Sequence, residues 1–513
     1  MGTAFGLDGS MSLVTLESLP ADKPLSTDIC IVGAGPAGIT LALTLDKAGI
    51  STVLLESGGL EAEAATQALY NTVSTGLPYS GSDTRRRQFG GSSNCWSGWC
   101  RPLDPADFKP HDTIPLSGWP IPYAEYAQHL PEAHSLCELG KVDYSLEYWQ
   151  SRLPPPWNKH PHVSSPSIHS GVWQHSPPTR FGRKYRSMLE RSTNCTVILH
   201  ANAVSSHVEG RRVTEIEARS LGMKRLRIKA NYFILACGGI ENPRLLLTLN
   251  GHGRPALGNE YGLVGRYFTD HLIFHDLLTL YPLTPHLHLY VDQLPLGTSP
   301  PQALTPWLGL SRPLQAQHGV SNTTLRLQRA TQLRETDSAG AAVWNALSRL
   351  HGASGASFPH RKRMAAVMIS DIIPNRESRI SLDHLKDALG MPRARINWRI
   401  KAEDLASMRR SAELLAHETL RLGIARGSPA HVPALSDMDN SAYWIGYHHY
   451  GTTRMATDPR HGVVDTNCRL HSLENLYVAG SSIFPTPGAS TPTLSVVALA
   501  LRLGKHLKQR LAT

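Results

Sequence analysis

The segment TDICIVGAGPAGITLALTLDKAGISTVLLESGG (27–59) restricts the fold more than any other stretch of this chain. A short apolar run, Ile29–Val32, meets a cluster of glycines, and a helical apolar pattern continues through Leu45. A second run, Thr52–Leu55, ends in Glu56. Two short strands around a helix predict a right-handed βαβ unit with parallel strands. Gly33, Gly35 and Gly38 occupy the strand-to-helix junction with GxGxxG spacing. The first glycine permits the tight turn, the second lets the backbone approach a pyrophosphate, and the third lets helix and strand pack closely. The helix that begins at Pro36 and Ala37 turns its partial positive charge toward those phosphates. Glu56 stands 18 residues after Gly38 and is followed by Ser57. A carboxylate there can accept hydrogen bonds from a ribose, so the segment predicts a dinucleotide site. These residues alone do not choose between NAD and FAD.

The remaining totals limit the partners. A chain of 513 residues holds two or three domains' worth of core. The formal charge is +10, with its densest runs at TRRRQ (84–88), RLRIK (225–229) and HRKRM (360–364). No arginine-rich tail or zinc-finger spacing accompanies them. A solvated or anion-steering surface is therefore expected, and no nucleic acid. The seven cysteines show no metal-type pairing, so no metal is expected. Reduced thiols, with no signal-peptide pattern at the N-terminus, predict a cytoplasmic protein. LSVVALAL (494–501), the longest apolar run, is too short for a membrane span.

Along the chain, residues 1–26 read as a loose leader, and 60–135 as irregular and rich in Gly, Ser and Trp. The stretch 197–239 alternates with turn signals and predicts several strands. ENPRLLLTL starts a helix, Asp404 to about Leu422 is an amphipathic helix, NLYVAGSSIF (475–484) is a buried strand entering a loop, and 491–511 is a long final helix. Residues 280–360 have weak periodicity and yield no clear elements.

Four segments resemble the GMC (glucose-methanol-choline) flavoprotein oxidoreductases. They are DICIVGAGPAGITLAL with LLESGG, GGSSNCWSGWCRPLDPADF (90–108), ILACGGIENPRLLL (234–247), and GYHHYGTTRM (446–455) through GSSIFPTPGASTPTLSVVALALRLGKHL. The likeness is greatest to the branch of pyranose oxidases and bacterial sugar or polyol dehydrogenases. It implies FAD, held noncovalently. It also implies an α/β Rossmann-like FAD domain assembled from several segments, 27–135, 195–275 and 440–510. An α+β substrate domain with an antiparallel sheet, from 136–194 and 276–439, would cover the flavin. Cofactor contacts are implied for Gly90, Gly91, Ser93, Asn94, Cys95 and Trp96, for Val204 near adenine, and for Ala236, Gly480, Pro492 and Thr493.

The resemblance also selects the catalytic residues. A family histidine three residues before a glycine takes the hydroxyl proton of an alcohol, which places it at His448, ahead of Gly451. An imidazole suits this task because it titrates near neutrality. His449, next in an extended segment, points elsewhere. The partner position, often Asn or His in relatives, is Thr491 here. Thr491 can also cap the last helix, with Pro492 at its first position; Ser490 or His449 could replace the missing contact. Cys95 stands where several relatives place a histidine, in some of them bonded to the flavin, and is expected to remain unlinked. Asp270 and His271 in GRYFTDHL match the family and read as structural. The implied reaction is oxidation of a sugar, glycoside or polyol hydroxyl, with oxygen, a quinone or another electron acceptor reoxidising the flavin. The alternatives are a nonsugar alcohol of secondary metabolism, or a flavoprotein with impaired catalysis and a binding role.

Overall fold

The structure, a computed structural model, describes residues 12–512 apart from 21–22, 112–113, 252–253, 292, 297–301, 330–362, 431, 433–437 and 439–442. Its first sheet is built around the predicted βαβ unit. Strand Leu25–Val32 lies between Thr52–Leu55 and the long strand Arg225–Leu235, parallel to both. Thr52–Leu55 pairs in turn with Cys195–Leu199. Ile29–Val32, Thr52–Leu55 and Phe233–Leu235 are buried on both faces, which is why they read as unbroken apolar runs. Arg225–Leu235 changes character along its length. Its first half pairs antiparallel with Arg212–Arg219, and Arg225, Arg227 and Lys229 point to solvent while Leu226 and Ile228 turn inward. Its last residues join Leu476–Val478 in parallel.

Two helices cover this sheet, Pro36–Asp46 and Pro492–Ala512, and they pack on each other. Gly504 permits the close approach, since a Cβ there would lie 2.8 Å from the Thr44 side chain. The expected leader is not wholly loose. Leu13–Thr15 adds a parallel edge strand beside Cys195–Leu199; residues 1–11 lie outside the described residues.

A second, antiparallel sheet stands over the first. Its strand order is Ala425–Pro429, Leu272–Pro282, Met364–Ser370, Thr323–Arg329, Ala303–Leu310, Ile168–His175 and Trp99–Cys100. Helix Ala402–Arg421 packs against it. Three segments cross the boundaries expected from the sequence. Trp99–Cys100 and Trp444–Ile445 pair into this second sheet. Helix Phe181–Glu190 instead sends Phe181, Tyr185 and Leu189 into the core of the first. The two strands are two residues long, and local pattern cannot tell which sheet will receive them; nor does the helix's apolar face say which core it will enter. Of the stretch that yielded no elements, 294–329 holds strands and the helix Arg312–His318, and 330–362 lies outside the described residues.

Candidate active site

Three helix N-termini converge on one cavity of about 540 Å³ between the two sheets: those at Pro36, Gly238 and Pro492. Each contributes unpaired backbone N–H groups and positive potential, a setting for an anionic, phosphate-bearing ligand. The glycine loop forms one wall. Gly33 is in the left-handed region at φ +104°, and a Cβ on Gly38 would lie 1.9 Å from the Gly33 carbonyl oxygen. Gly35 instead faces open space, with the Gly91 Cα 4.0 Å from its ideal Cβ position. The cradle is thus bare backbone where a pyrophosphate has to approach.

Glu56 is buried beside it. Its carboxylate accepts from the Ala34 N–H at 3.1 Å and the Gly58 N–H at 2.8 Å. Burial raises its pKa, against those backbone donors and Arg87. Two polar atoms in residues of the cavity wall, Arg87 Nη1 and Asn202 Oδ1, are buried without a partner. A buried donor and acceptor left unsatisfied mark positions where a ligand completes the hydrogen bonding. Bare cradle, ribose-side carboxylate and orphaned polar atoms together fit a bound dinucleotide.

Most of the expected cofactor residues line this cavity: Gly33, Gly35, Pro36, Ala37, Glu56, Ser57, Gly91, Ser93, Cys95, Trp96, Ala236, Gly480, Pro492 and Thr493. Gly38, Gly90, Asn94 and Val204 are not in its lining. Gly38 sits behind the turn, and Asn94 spends its amide on the Phe89 carbonyl at 2.9 Å. Near Val204 the wall is made by Ala201, Asn202 and Ala203. The thiol of Cys95 is exposed and lies 3.4 Å from the Ser92 carbonyl. Desolvation raises its pKa, against the nearby charges of Arg86 and Arg180.

The run TRRRQ, expected on the surface, is in part an interior device. Arg85 and Arg87 are buried, stack on Tyr70 with their guanidinium carbons 3.8 and 4.5 Å from the ring centroid, and pair with Glu241. Arg244 pairs with the same carboxylate at 2.6 Å and with Asp387. Burial would raise the pKa of Glu241, but Arg244, then Arg87 and Arg85, bring it down to about 2. Charge density in sequence could not reveal this, because Glu241 is more than 150 positions away.

The histidine pair occupies the other end. Residues 444–445 pair with 272–273, and Tyr450 bridges Thr269, so GYHH runs antiparallel to TDH. This places His271 beside His448, with Nδ1 to Nδ1 at 2.8 Å. Asp270 anchors both: it accepts from the His448 N–H at 3.0 Å, the His271 N–H at 2.7 Å and the Tyr79 hydroxyl at 2.6 Å. Burial pushes the Asp270 carboxyl up to about 7 against these donors. Asp270, His271 and His448 offer ligand atoms within 4.8 Å of one another, but hydrogen bonds already join them. Gly446 leaves room for the imidazole, since a Cβ there would lie 2.5 Å from His448 Nδ1.

The tautomers follow from the last acceptor in this chain. His271 Nε2 lies 2.8 Å from the Gly488 carbonyl oxygen, which only accepts, so Nε2 carries the proton. A neutral His271 then offers a lone pair at Nδ1 and receives the Nδ1–H of His448. His448 Nε2 is left as a lone pair, with no hydrogen-bond partner among the described residues. Burial holds His271 down to about 4. It also holds His448 well below the ordinary histidine value, with help from His271 and His449. Both rings are neutral at pH 7.

His449 turns away from this chain. Its Nε2 meets the Thr84 hydroxyl at 3.3 Å, its ring lies against Tyr79 and Phe268, and burial lowers its pKa to about 3. Thr491 lines the cavity, but its hydroxyl donates to the Trp99 carbonyl at 2.7 Å. It ties the helix start to the edge strand Trp99–Cys100 of the second sheet instead of capping the first turn. Ser490 is buried, with its hydroxyl 3.5 Å from the Pro487 carbonyl. The polar partner of His448 is therefore His271, which sequence placed among structural residues. Only the pairing of two distant segments brings them together.

Residues 28–269 match the family described as FAD dependent oxidoreductase, and 374–500 the one described as GMC oxidoreductase. The chain is 23% identical to 2-methyl-1,2-propanediol dehydrogenase of Mycolicibacterium austroafricanum, over 94% of this chain and 95% of the relative. It is 24% identical to paromamine 6'-oxidase of Streptomyces fradiae, over 93% and 90%. A shorter match, 33% identical over 27% of this chain and 25% of the relative, is to C-glycoside 3-oxidase of Arthrobacter globiformis. The fold is shared with pyridoxine 4-oxidase from Mesorbium loti, with a TM-score of 0.54, 16% identity, and coverage of 94% and 99%.

Proposed function

We propose, from the premise that this chain belongs to the GMC family of FAD-dependent oxidoreductases acting on alcohols, that it oxidises a hydroxyl of a sugar, glycoside or polyol to a carbonyl with His448 as general base. The observation that carries this reading is the Gly488–His271–His448 chain, which leaves His448 Nε2 unprotonated beside the cavity. The relatives named as oxidases of paromamine and C-glycosides support the carbohydrate class. The propanediol dehydrogenase favours a small nonsugar diol as the second reading.

When bound, FAD supplies the hydride acceptor, flavin N5, for the carbinol hydrogen. The protein's part is positioning and proton transfer. His448 Nε2 accepts the hydroxyl proton, and the imidazolium so formed keeps its Nδ1–H on the neutral His271. Asp270, through its bonds to the His448 and His271 backbone N–H groups, holds the two rings in register. The second sheet covers this end of the cavity and limits water. The cofactor is held noncovalently, and denaturation should release it into the supernatant.

The test is the visible spectrum of the purified protein under anaerobic conditions as sugars, glycosides, polyols and simple alcohols are added. Bleaching by one class identifies the substrate family, and readmitting air separates an oxygen-using enzyme from one needing a quinone or another acceptor. A yellow protein that no alcohol bleaches overturns this reading.

A further inference from the structure

The second sheet turns one aromatic face toward the cavity. Trp99, in the cavity wall, packs against Trp173 at 5.5 Å and His175 at 4.7 Å between ring centroids. His175 Nε2 meets the Thr305 hydroxyl at 2.8 Å. Leu325 pairs with Leu308 across the neighbouring strands, so Arg326 falls opposite Trp307 on this same face. The Arg326 guanidinium carbon is 5.4 Å from the Trp99 ring centroid.

Arg326 is half-buried and, among the described residues, has neither a hydrogen bond nor an ion pair. Other arginines around the cavity have acceptors: Arg85, Arg87 and Arg244 pair with Glu241, Arg101 pairs with Asp104, and Arg86 and Arg180 donate to backbone carbonyls. Burial lowers the pKa of Arg326 with no carboxylate to oppose it, and the same positive charge helps burial hold His175 down to about 4. A guanidinium taken from water without a counter-charge is costly, and that cost is offset when an anion arrives. Its planar fork matches a carboxylate or phosphate in two hydrogen bonds.

The geometry points to Arg326 as a substrate-binding residue that receives the anionic group of an alcohol carrying a carboxylate or phosphate, while the hydroxyl to be oxidised lies at His448. The inference rests on the alcohol-oxidising reading above and narrows it from neutral sugars and polyols to sugar acids or sugar phosphates. The excess positive charge of the chain favours the approach of such molecules.

The test is anaerobic stopped-flow reduction of the holoprotein with matched sets: glucose, gluconate and glucose 6-phosphate, and glycerol, glycerate and glycerol 3-phosphate. In at least one set an anionic member should have an apparent dissociation constant about tenfold or more below the neutral one. Arg326→Gln should raise that constant about tenfold or more and leave the limiting rate, the FAD content and the constant for the neutral member unchanged. Arg326→Lys should recover part of the loss. Response of the acid but not the phosphate, or the reverse, identifies the group received. Neutral members binding as well as anionic ones, or Arg326→Gln slowing both alike, would overturn the inference and leave the alcohol reading standing. Failure of every member and of all other alcohols to reduce the flavin would overturn both.

Discussion

At the scale of single residues, proton transfer depends on which ring nitrogen carries a proton. The Gly488 carbonyl sets His271, and His271 sets His448. His271→Phe removes the acceptor and frees the His448 ring to adopt the wrong tautomer, so the rate of flavin reduction should fall about a hundredfold or more with FAD retained. His271→Gln keeps an acceptor and should retain more of the rate; equal loss in both variants would show that His271 only fills space. The pH dependence has a definite sign. His271, His448 and His449 all titrate below their ordinary value in the folded protein. Their contribution to stability is present above about pH 6.5 and is lost as pH falls toward about 4 and below. Thermal midpoints should therefore fall across that window, and the acid limb of flavin reduction should lie below pH 6.5. A limb at or above 6.5 would contradict a buried neutral base. Sequence pointed to His448 by its spacing from Gly451, but not to His271. Their positions differ by 177, and only strand pairing joins them.

Elements explain why some of the site is visible in the sequence and some is not. The strand, glycine turn and helix of 27–59 are local, so their residues announce both the fold and the ligand. Gly38 is the strictest of them, because a Cβ would lie 1.9 Å from a backbone oxygen that cannot move without opening the turn. Gly38→Ala should give a protein that purifies without yellow colour and does not take up added FAD; a normal flavin spectrum would refute the tight-turn argument. The arginines at 85 and 87 show the opposite case. Their burial depends on Glu241 at the start of another helix, so a charged run that reads as surface becomes part of the interior. Glu241→Gln leaves the buried guanidinium groups of Arg85 and Arg87 without a carboxylate, while Arg244 keeps Asp387. It should destabilise the protein by about 3–5 kcal/mol, read as a lowered midpoint in urea. An unchanged midpoint would mean that the cluster relaxes into solvent.

At the scale of the whole molecule, function arises where two sheets of different construction meet. The buried parallel strands supply helix N-termini and a bare cradle, and the antiparallel sheet supplies an aromatic wall and Arg326, unpaired among the described residues. Sequence conveyed the first half well because its strands are continuous apolar runs. The second was obscured because its strands come from segments far apart, including Trp99–Cys100 and Trp444–Ile445, whose two-residue length carries no periodicity. The central claim is that His448 Nε2 takes the substrate proton. It is tested most directly by anaerobic stopped-flow reduction of His448→Ala, loaded with FAD, beside the wild type and His449→Ala. The account predicts a normal oxidised flavin spectrum in all three, reduction slowed at least about a hundredfold in His448→Ala, and a near-normal rate in His449→Ala. Wild-type reduction by His448→Ala would contradict it.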